Sequence, residues 1–270
     1  MKIRLISAAV MVPLALLLAW VLPKIMLALV IAVMAALSAY ELLYTTGLVR
    51  HTRLVAYCMV TAFAIPLWSY WGIPYPWVIL LILVFLTVMF AEMMNNHVKV
   101  RFEKVCMCVI AGLLLPFLFA AMVRIHGERL GRYLIMVPVI LAVIPDTGAY
   151  FAGRYFGKHK LAPVISPKKT VEGAIGGGIS AVLGMVVFAL IVDVFFKREV
   201  NYGFALIYGI FGAAADVFGD LMFSAIKRQV GLKDYGNLIP GHGGILDRFD
   251  SMLMVAPLME ALLILFPVVV

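Results

Sequence analysis

Runs of about 20 continuously apolar residues recur along this chain, and they restrict its fold more than any other feature. One of them reads YPWVILLILVFLTVMFAEMM, from Tyr75 to Met94. A helix of about 20 residues crosses the roughly 30 Å hydrocarbon core of a bilayer. The backbone inside that core must satisfy its own hydrogen bonds, which leaves helices and closed barrels. Barrel strands alternate apolar and polar residues, whereas these runs do not. We therefore predict an all-α, polytopic integral membrane helical bundle.

Nine such runs are predicted to be transmembrane helices. Hydrophobic residues make up 65% of the chain and charged residues 13%, about half the charged share of a soluble domain. The predicted spans lie near residues 5–22, 25–44, 54–71, 77–94, 105–123, 133–153, 173–195, 203–226 and 250–269. The first span follows a basic start that resembles a signal peptide. It continues too far and lacks a small-residue cleavage site, so we interpret it as an uncleaved helix.

The placement of basic residues predicts the orientation of the helices. With nine spans, 16 of the 22 Lys and Arg residues fall on the side that carries the N-terminus. Cytoplasmic loops are enriched in these residues. We therefore predict a multi-pass protein of the inner (cytoplasmic) cell membrane with its N-terminus in the cytoplasm. Topology and anionic membrane lipids account for the net charge of +8, so no nucleic-acid partner is needed.

The two halves of the chain differ in polarity. Residues 1–140 contain apolar spans and short loops, whereas polar groups enter the spans within residues 141–270. We predict a single membrane domain, 1–270, in which 1–140 is mainly scaffold and 141–270 is the catalytic half. Glu41 and Glu92, near the inner ends of their spans, are interpreted as ordinary polar residues at helix ends.

The eighth span contains two acidic residues. Asp216, Asp220 and Ser224 are four residues apart in turn, so they form one stripe along a helix. Carboxylates inside a membrane are costly unless they are paired, hydrated or bound to metal. A structural salt bridge to another helix is one explanation. A divalent cation is the other explanation, because Mg²⁺ takes oxygen ligands. With the orientation predicted above, an active site at these acids would face the cytoplasm.

The polar segment KDYGNLIPGHGGILDRFDS, residues 233–251, follows this span. Its glycines allow the backbone to approach a ligand, and their N–H groups can form an anion-binding nest. Asp247 and Asp250 lie three residues apart at a helix start, where they would bind a cation or cap the helix. His242 is either a substrate contact or an ordinary loop histidine.

The sixth span and the loop after it add further polar groups. Asp146 follows Pro145 inside an apolar stretch, and Lys168 and Lys169 follow in the loop. These lysines suit phosphate binding, although lysines in a cytoplasmic loop also face anionic lipid headgroups. Together, acids that hold metal and bases that hold phosphates are the parts of metal-assisted phosphoryl or nucleotidyl transfer.

The run SAIKRQVGLKDYGNLIPGHGGILDRFD, residues 224–250, resembles the signature of the phosphatidate cytidylyltransferases, also called CDP-diacylglycerol synthases. That pattern is S-x-aliphatic-K-R, four residues, K-D-x-small, then P-x-H-G-G-x-x-D-R-x-D, and every fixed position is met. PDTGAYFAGRYFGKHKL and SPKKTVEG, from residues 145 and 166, are also similar to that family. The resemblance covers roughly residues 145–250.

The resemblance implies that CTP and phosphatidate give CDP-diacylglycerol and pyrophosphate, with Mg²⁺ as cofactor and a second cation such as K⁺. It implies these catalytic residues: Asp220, Asp247, Lys227 and Arg248. The implied substrate-binding residues are Lys168, Lys169, Ser224, Lys233, His242, Gly243 and Gly244. The implied metal ligands are Asp220, Asp247, Asp146 and Asp216, of which the first two are the main ones.

Two other functions compete with this interpretation. A CDP-alcohol phosphotransferase-like enzyme would carry a D-G-x-x-A-R pattern, which this chain lacks. A cation-coupled membrane transporter would use intramembrane acids as its ion site, but it predicts acids near mid-membrane and broken helices in both halves. The glycine-rich seventh span, with Gly173 and Gly177 four residues apart, is expected to serve close helix packing. It also permits a homodimer.

Overall fold

Helices dominate the computed structural model, which describes Trp20, residues 23–238 and residues 243–269. Seven helices in these ranges are long and apolar enough to cross a membrane, which confirms the predicted all-α, polytopic membrane fold. The first predicted span, 5–22, lies outside the described residues except for Trp20. The ninth corresponds to the shorter apolar helix Met252–Leu265. The count of nine spans and the orientation of the N-terminus therefore stay predictions.

The chain divides into two compact units. The first unit contains Met1–Gly127 and Gln229–Arg248, and the second contains Glu128–Arg228 and Phe249–Val270. Each unit combines a long stretch of chain with a shorter stretch from near the C-terminus. A single membrane domain with a scaffold half and a catalytic half stays a prediction.

The first unit is built from membrane-length helices with close-packed small residues. Its helices are α1 (Lys24–Tyr40), α2 (Thr52–Trp71), α3 (Tyr75–Asn95), α4 (Phe102–Val109) and α5 (Leu115–Gly127). A π-helical turn, Glu41–Thr45, extends α1, and a second π turn, Ile110–Leu114, joins α4 to α5. Ala28, Ala32, Ala35 and Ala39 of α1 are fully buried. Small side chains let helix backbones approach closely in a bilayer, and α1 packs there against α2 and α5.

The second unit contains the remaining long helices and a small sheet. Its elements in chain order are α6 (Gly131–Leu134), α7 (Met136–Phe156), β1 (Lys160–Ala162), β2 (Ser166–Thr170), α8 (Val171–Phe196) and α9 (Tyr202–Gln229). The short helix α10 (Leu246–Phe249) begins in the first unit and ends in the second, and α11 (Met252–Leu265) follows in the second. Leu141 of α7 lies against Gly212 of α9, and Ser251 lies against Gly219 of the same helix.

Helices α7 and α8 pack through glycines. A Cβ atom at Gly177 would lie 3.0 Å from the carbonyl oxygen of Pro145, and one at Gly173 would lie 3.0 Å from that of Ala149. Side chains at these positions would force the two backbones apart. The expectation of close helix packing at the glycines of the seventh span is therefore confirmed. Helix α7 runs without interruption through Pro145.

An antiparallel hairpin, β1 and β2, joins α7 to α8, and the sequence did not predict it. Its register pairs Lys160 with Thr170 and Ala162 with Ser166. Thr170 ends the hairpin and caps α8, because its Oγ1 accepts a hydrogen bond from the N–H of Gly173 at 3.1 Å. The hairpin therefore holds the lysines of β2 in a fixed position relative to the start of α8.

Candidate active site

Three predicted site residues form one polar stripe on α9. Asp216 and Ser224 are buried, with 2% and 8% exposure, on a helix whose other buried residues are mostly small or apolar. Asp220 lies between them and accepts a hydrogen bond from the Ser224 hydroxyl at 3.1 Å. The four-residue spacing places these groups on the same face of the helix. A stripe of two carboxylates and a hydroxyl thus lies along a membrane-length helix.

Asp220 forms an ion pair with a lysine from the hairpin. The Lys169 ammonium contacts Oδ2 of Asp220, and the two side chains are only 23% and 29% exposed. Partial burial makes such a pair stronger than one in open solvent, because the surroundings screen the charges less. The hairpin and α9 are 51 residues apart at this contact, so the pair is a product of the tertiary fold.

A cavity of about 340 Å³ opens beside this ion pair within the second unit. Its charged and polar lining residues are Asp146, Tyr150, Arg154, Lys168, Lys169, Thr170 and Asp216. The hydroxyl of Tyr150 accepts a hydrogen bond from Arg154 at 3.0 Å. The volume lies in the range of small-molecule sites, roughly 300–1,000 Å³. Both the carboxylates of α7 and α9 and the lysines of β2 therefore border one space.

The buried side chain of Asp216 borders this cavity. Oδ1 of Asp216 is buried and has no hydrogen-bond partner among the described residues, although Ser251 forms a side-chain hydrogen bond with the same carboxylate. Its charged neighbours are Asp146, Asp220 and Lys169. Buried polar atoms in native structures are almost always satisfied. A buried carboxylate oxygen beside two other acids is suited to accept a cation.

Asp250 extends the acidic cluster outside the membrane-length helices. Burial and the negative charge of Asp220 raise the pKa of Asp250 to about 7, against the opposing effects of the Ser251 N–H and Lys227. Asp250 accepts a hydrogen bond from that N–H at 2.9 Å. Lys227 is buried on α9 with 8% exposure. Asp250 therefore lies within the electrostatic reach of both the acids and a lysine of this cluster.

In the first unit, Asp247 is held by the backbone of the polar segment. Its Oδ2 accepts hydrogen bonds from the N–H of Tyr235 at 2.7 Å and from the N–H of Gly244 at 3.0 Å. Gly243 has a φ of +86°, and a Cβ there would lie 2.8 Å from the same oxygen. The glycines of this segment thus bring the backbone close to Asp247, where the sequence predicted that they approach a substrate.

Glu41 holds the same segment from the π turn that ends α1. It is fully buried, with 0% exposure. One carboxylate oxygen accepts from the N–H of Ile245 at 2.9 Å and the other from the N–H of Leu246 at 2.8 Å. Thr45, in the same turn, donates a hydrogen bond to the carbonyl of Tyr235. Glu41 lies at the end of α1, as expected, and it also binds a segment more than 200 residues away in the chain.

The remaining predicted residues lie in more open positions. Lys233 and Arg248 are exposed in the first unit. In the second unit, Arg228, the neighbour of the predicted Lys227, donates a hydrogen bond to the carbonyl of Ile165 at 3.3 Å. His242 lies outside the described residues. Within the described ranges, no group of three or more His, Cys, Asp or Glu side chains is close enough to hold a metal ion by itself.

Comparison with known proteins identifies the family to which this chain belongs. The model of the cytidylyltransferase family matches residues 2–266. The chain belongs to this family. It is 37% identical over 180 residues to a phosphatidate cytidylyltransferase of Staphylococcus aureus (strain COL) and to one of Staphylococcus epidermidis, and 38% identical to one of Staphylococcus saprophyticus. Each alignment covers 67% of this chain and 66% of the relative, just under two thirds of the relative's length.

The structure of this cytidylyltransferase-family chain adds residues that sequence reasoning missed. Glu41 was the one that the sequence could most easily have revealed, because an acid within an apolar span is a functional candidate in itself. Tyr150, Arg154 and Thr170 lie within the segments that resemble the family and also line the cavity. The contribution of Tyr235 is a backbone N–H, which no side-chain pattern reveals.

Proposed function

We propose that this chain transfers the cytidylyl group of CTP to phosphatidate, which gives CDP-diacylglycerol and pyrophosphate. The observation that carries the proposal is the cavity of the second unit, which is bordered by Asp146, Asp216, Lys168 and Lys169 on membrane-length helices and the hairpin between them. Acids and bases around one space suit a substrate that carries phosphates and a cation. The similarity to phosphatidate cytidylyltransferases supports the same substrates.

The proposed reaction needs charge neutralisation more than it needs a base. A phosphate oxygen of phosphatidate attacks the α-phosphorus of CTP, and the bond from that phosphorus to the β-phosphate bridging oxygen breaks and releases pyrophosphate. The lipid phosphate is a monoester, with a second pKa of about 6, so it is ionised near neutral pH. The barrier then comes largely from repulsion between two anions, which positioning and electrostatic stabilisation reduce.

The chain's own cations are placed for that task. Lys168 and Lys169 border the cavity, where their ammonium groups would contact the phosphates of CTP or phosphatidate. Arg154 also borders it, held by Tyr150, and its guanidinium can bind a phosphate through two hydrogen bonds. Lys227, Lys233, Arg248, His242, Gly243 and Gly244 stay predicted substrate contacts or catalytic residues.

The residues of the second unit also fit a divalent cation. Carboxylate oxygens are the ligands that Mg²⁺ takes, and the unpartnered oxygen of Asp216 lies beside Asp146 and Asp220. We propose that these three contribute Mg²⁺ ligands, and that substrate phosphates and water complete the coordination, because the described side chains do not form a metal site by themselves. Asp247, in the first unit, stays a metal ligand predicted from the sequence pattern alone. A bound Mg²⁺ neutralises charge on the reacting phosphates and on the leaving pyrophosphate. K⁺ is proposed as the second cation.

We further propose that the site faces the cytoplasm of the inner membrane, since cytoplasmic loops carry the excess of Lys and Arg. A homodimer would pack through the exposed apolar face of α8 around Gly178, where a Cβ would meet nothing within 4 Å. Labelling of single cysteines placed at residues 99 and 197 in intact cells tests the orientation. Disulfide cross-linking at residue 178 tests the dimer.

The reaction is tested with purified protein, phosphatidate, labelled CTP and Mg²⁺, by following lipid-soluble label and pyrophosphate together. Asp220→Asn removes a carboxylate of the site. Asp193→Asn is the matched control, because Asp193 is exposed and accepts a hydrogen bond from the Tyr202 hydroxyl. We expect metal-dependent product that falls at least 100-fold in Asp220→Asn only. Folded protein that forms no CDP-diacylglycerol at any cation concentration would refute the proposal, and ion transport would be assayed next.

A further inference from the structure

Glu41 and Asp247 are 206 residues apart in the chain, and both bind the same short segment of backbone in the first unit. Asp247 accepts from Gly244 N–H, and Glu41 accepts from the next two N–H groups, those of Ile245 and Leu246. Three consecutive N–H groups thus point at two carboxylates. Glu41 fixes the backbone that leads directly into Asp247.

We infer that Glu41 is a positioning residue for Asp247 in the proposed reaction. The inference rests on the proposed function, in which Asp247 binds metal. Oδ2 of Asp247 is bound by the N–H groups of Tyr235 and Gly244, so the orientation of this carboxylate follows the backbone on both sides. The π turn holds both: Glu41 holds the segment after Gly244, and Thr45 holds the carbonyl of Tyr235.

The glycines of the segment make this contact possible. A Cβ at Gly244 would lie 2.5 Å from an oxygen of the Glu41 carboxylate, and one at Gly236 would lie 2.9 Å from it. Real Cβ atoms do not approach that closely. Glycine at both positions is therefore what allows a buried carboxylate to reach the backbone, a role distinct from contact with a phosphate.

The contact with the two N–H groups also requires the carboxylate of a glutamate at position 41. Each oxygen accepts one N–H, from Ile245 and from Leu246. A glutamine keeps the shape but offers one acceptor and one amino group, so one of the two N–H groups would face another donor. An aspartate keeps both acceptors but is shorter by about 1.5 Å, a carbon–carbon bond length.

The direct test is hydrogen–deuterium exchange of the backbone amides of Ile245 and Leu246 in metal-free protein. Glu41→Gln is compared with Glu92→Gln, a matched change in the same unit whose carboxylate accepts from the Tyr57 hydroxyl at 3.3 Å. We expect exchange to accelerate about 10-fold at these amides in Glu41→Gln alone, as the loss of one hydrogen bond predicts. Equal exchange in the two variants overturns the inference, whatever the activity.

The catalytic consequence is tested by kinetics with phosphatidate, CTP and varied Mg²⁺. Removing a group that orients a metal ligand typically costs 10–100-fold in metal affinity or activity. We expect Glu41→Gln to lower kcat or raise the half-activating Mg²⁺ concentration by about that factor, with the KM for CTP within about 2-fold. A parallel loss with Glu92→Gln, or accelerated exchange with unchanged kinetics, contradicts a positioning role.

A double variant covers the case in which Glu41→Gln does not fold. Gly244→Ala places a Cβ against the Glu41 carboxylate, and Glu41→Asp withdraws that carboxylate. We expect Gly244→Ala to reduce activity at least 10-fold in the parent chain and by much less in the Glu41→Asp background. Equal effects in the two backgrounds contradict the contact. If the parent chain itself makes no CDP-diacylglycerol, the proposed function fails, while the exchange experiment still decides how Glu41 acts.

Discussion

Asp216→Asn is expected to make the protein more stable and less active. The buried Oδ1 of Asp216 has no partner among the described residues, and its neighbours include two further acids, Asp146 and Asp220. A buried polar atom without a partner costs about 1–3 kcal/mol, and more for a charged group. The amide of asparagine has nearly the same shape, carries no charge and can donate to a neighbouring carboxylate. The free energy of unfolding should therefore rise by about 1–3 kcal/mol.

Thermal unfolding in detergent with EDTA measures this effect through loss of helical circular dichroism. For a chain of this size, each kcal/mol shifts Tm by about 2–4 °C, so we expect an increase of about 2–12 °C. Asp193→Asn is the control, since that exposed carboxylate bonds to the Tyr202 hydroxyl, and its Tm should not rise. Cytidylyl transfer should fall about 100-fold in Asp216→Asn only.

Added Mg²⁺ provides the second half of the test. An ion that binds only the folded state stabilises it by mass action, so Mg²⁺ should raise the Tm of the parent chain and of Asp193→Asn. Asp216→Asn should respond less, because it lacks one proposed ligand. If Asp216→Asn has a lower Tm than the parent chain in EDTA, or if Mg²⁺ raises its Tm as much as that of the parent, the reasoning that this oxygen serves a cation is refuted.

Three further predictions concern packing, capping and pH. Gly176→Ala should lower the free energy of unfolding by about 1–3 kcal/mol, because its Cβ would collide with that of Ala152. Gly127→Ala, where a Cβ meets nothing within 4 Å, should not lower it, and chemical denaturation compares the two variants. Thr170→Ala should lower stability by about 1 kcal/mol through loss of the cap on α8, and Thr170→Ser should restore it in the same assay. Because the pKa of Asp250 is raised from 3.8 to about 7, the unfolded chain loses this proton first, so stability in EDTA should fall as pH rises across that interval. Asp250→Asn should flatten the fall, and an unchanged pH profile would contradict the shift.

The apolar runs predicted the helices well because a bilayer leaves few alternatives for the backbone. The span expected near residues 77–94 is the helix Tyr75–Asn95, and that near 173–195 is Val171–Phe196. The stripe of Asp216, Asp220 and Ser224 was equally accessible, because helical periodicity alone places residues four apart on one face.

Contacts between distant segments could not be predicted in this way. The pairing of Lys169 with Asp220 depends on a hairpin that carries no strong strand pattern, with Pro and two lysines in β2. The contact of Glu41 with Leu246 spans 205 residues, and its acceptors bind backbone N–H groups that every residue except proline carries. Side-chain patterns record which groups are available, whereas such contacts depend on how helices separated along the chain pack.

The ion pair between Lys169 and Asp220 couples the binding of an anionic nucleotide to the binding of a metal ion in the cavity. An anion that binds Lys169 competes with Asp220, and a cation that binds Asp220 competes with Lys169, so each must break the same ion pair. Once either ligand has separated the pair, the other no longer has to do so, and its apparent affinity increases. Thermodynamic linkage makes this effect equal in both directions. In the absence of substrate the pair favours a self-neutralised state, so nucleotide and metal are expected to bind with positive cooperativity.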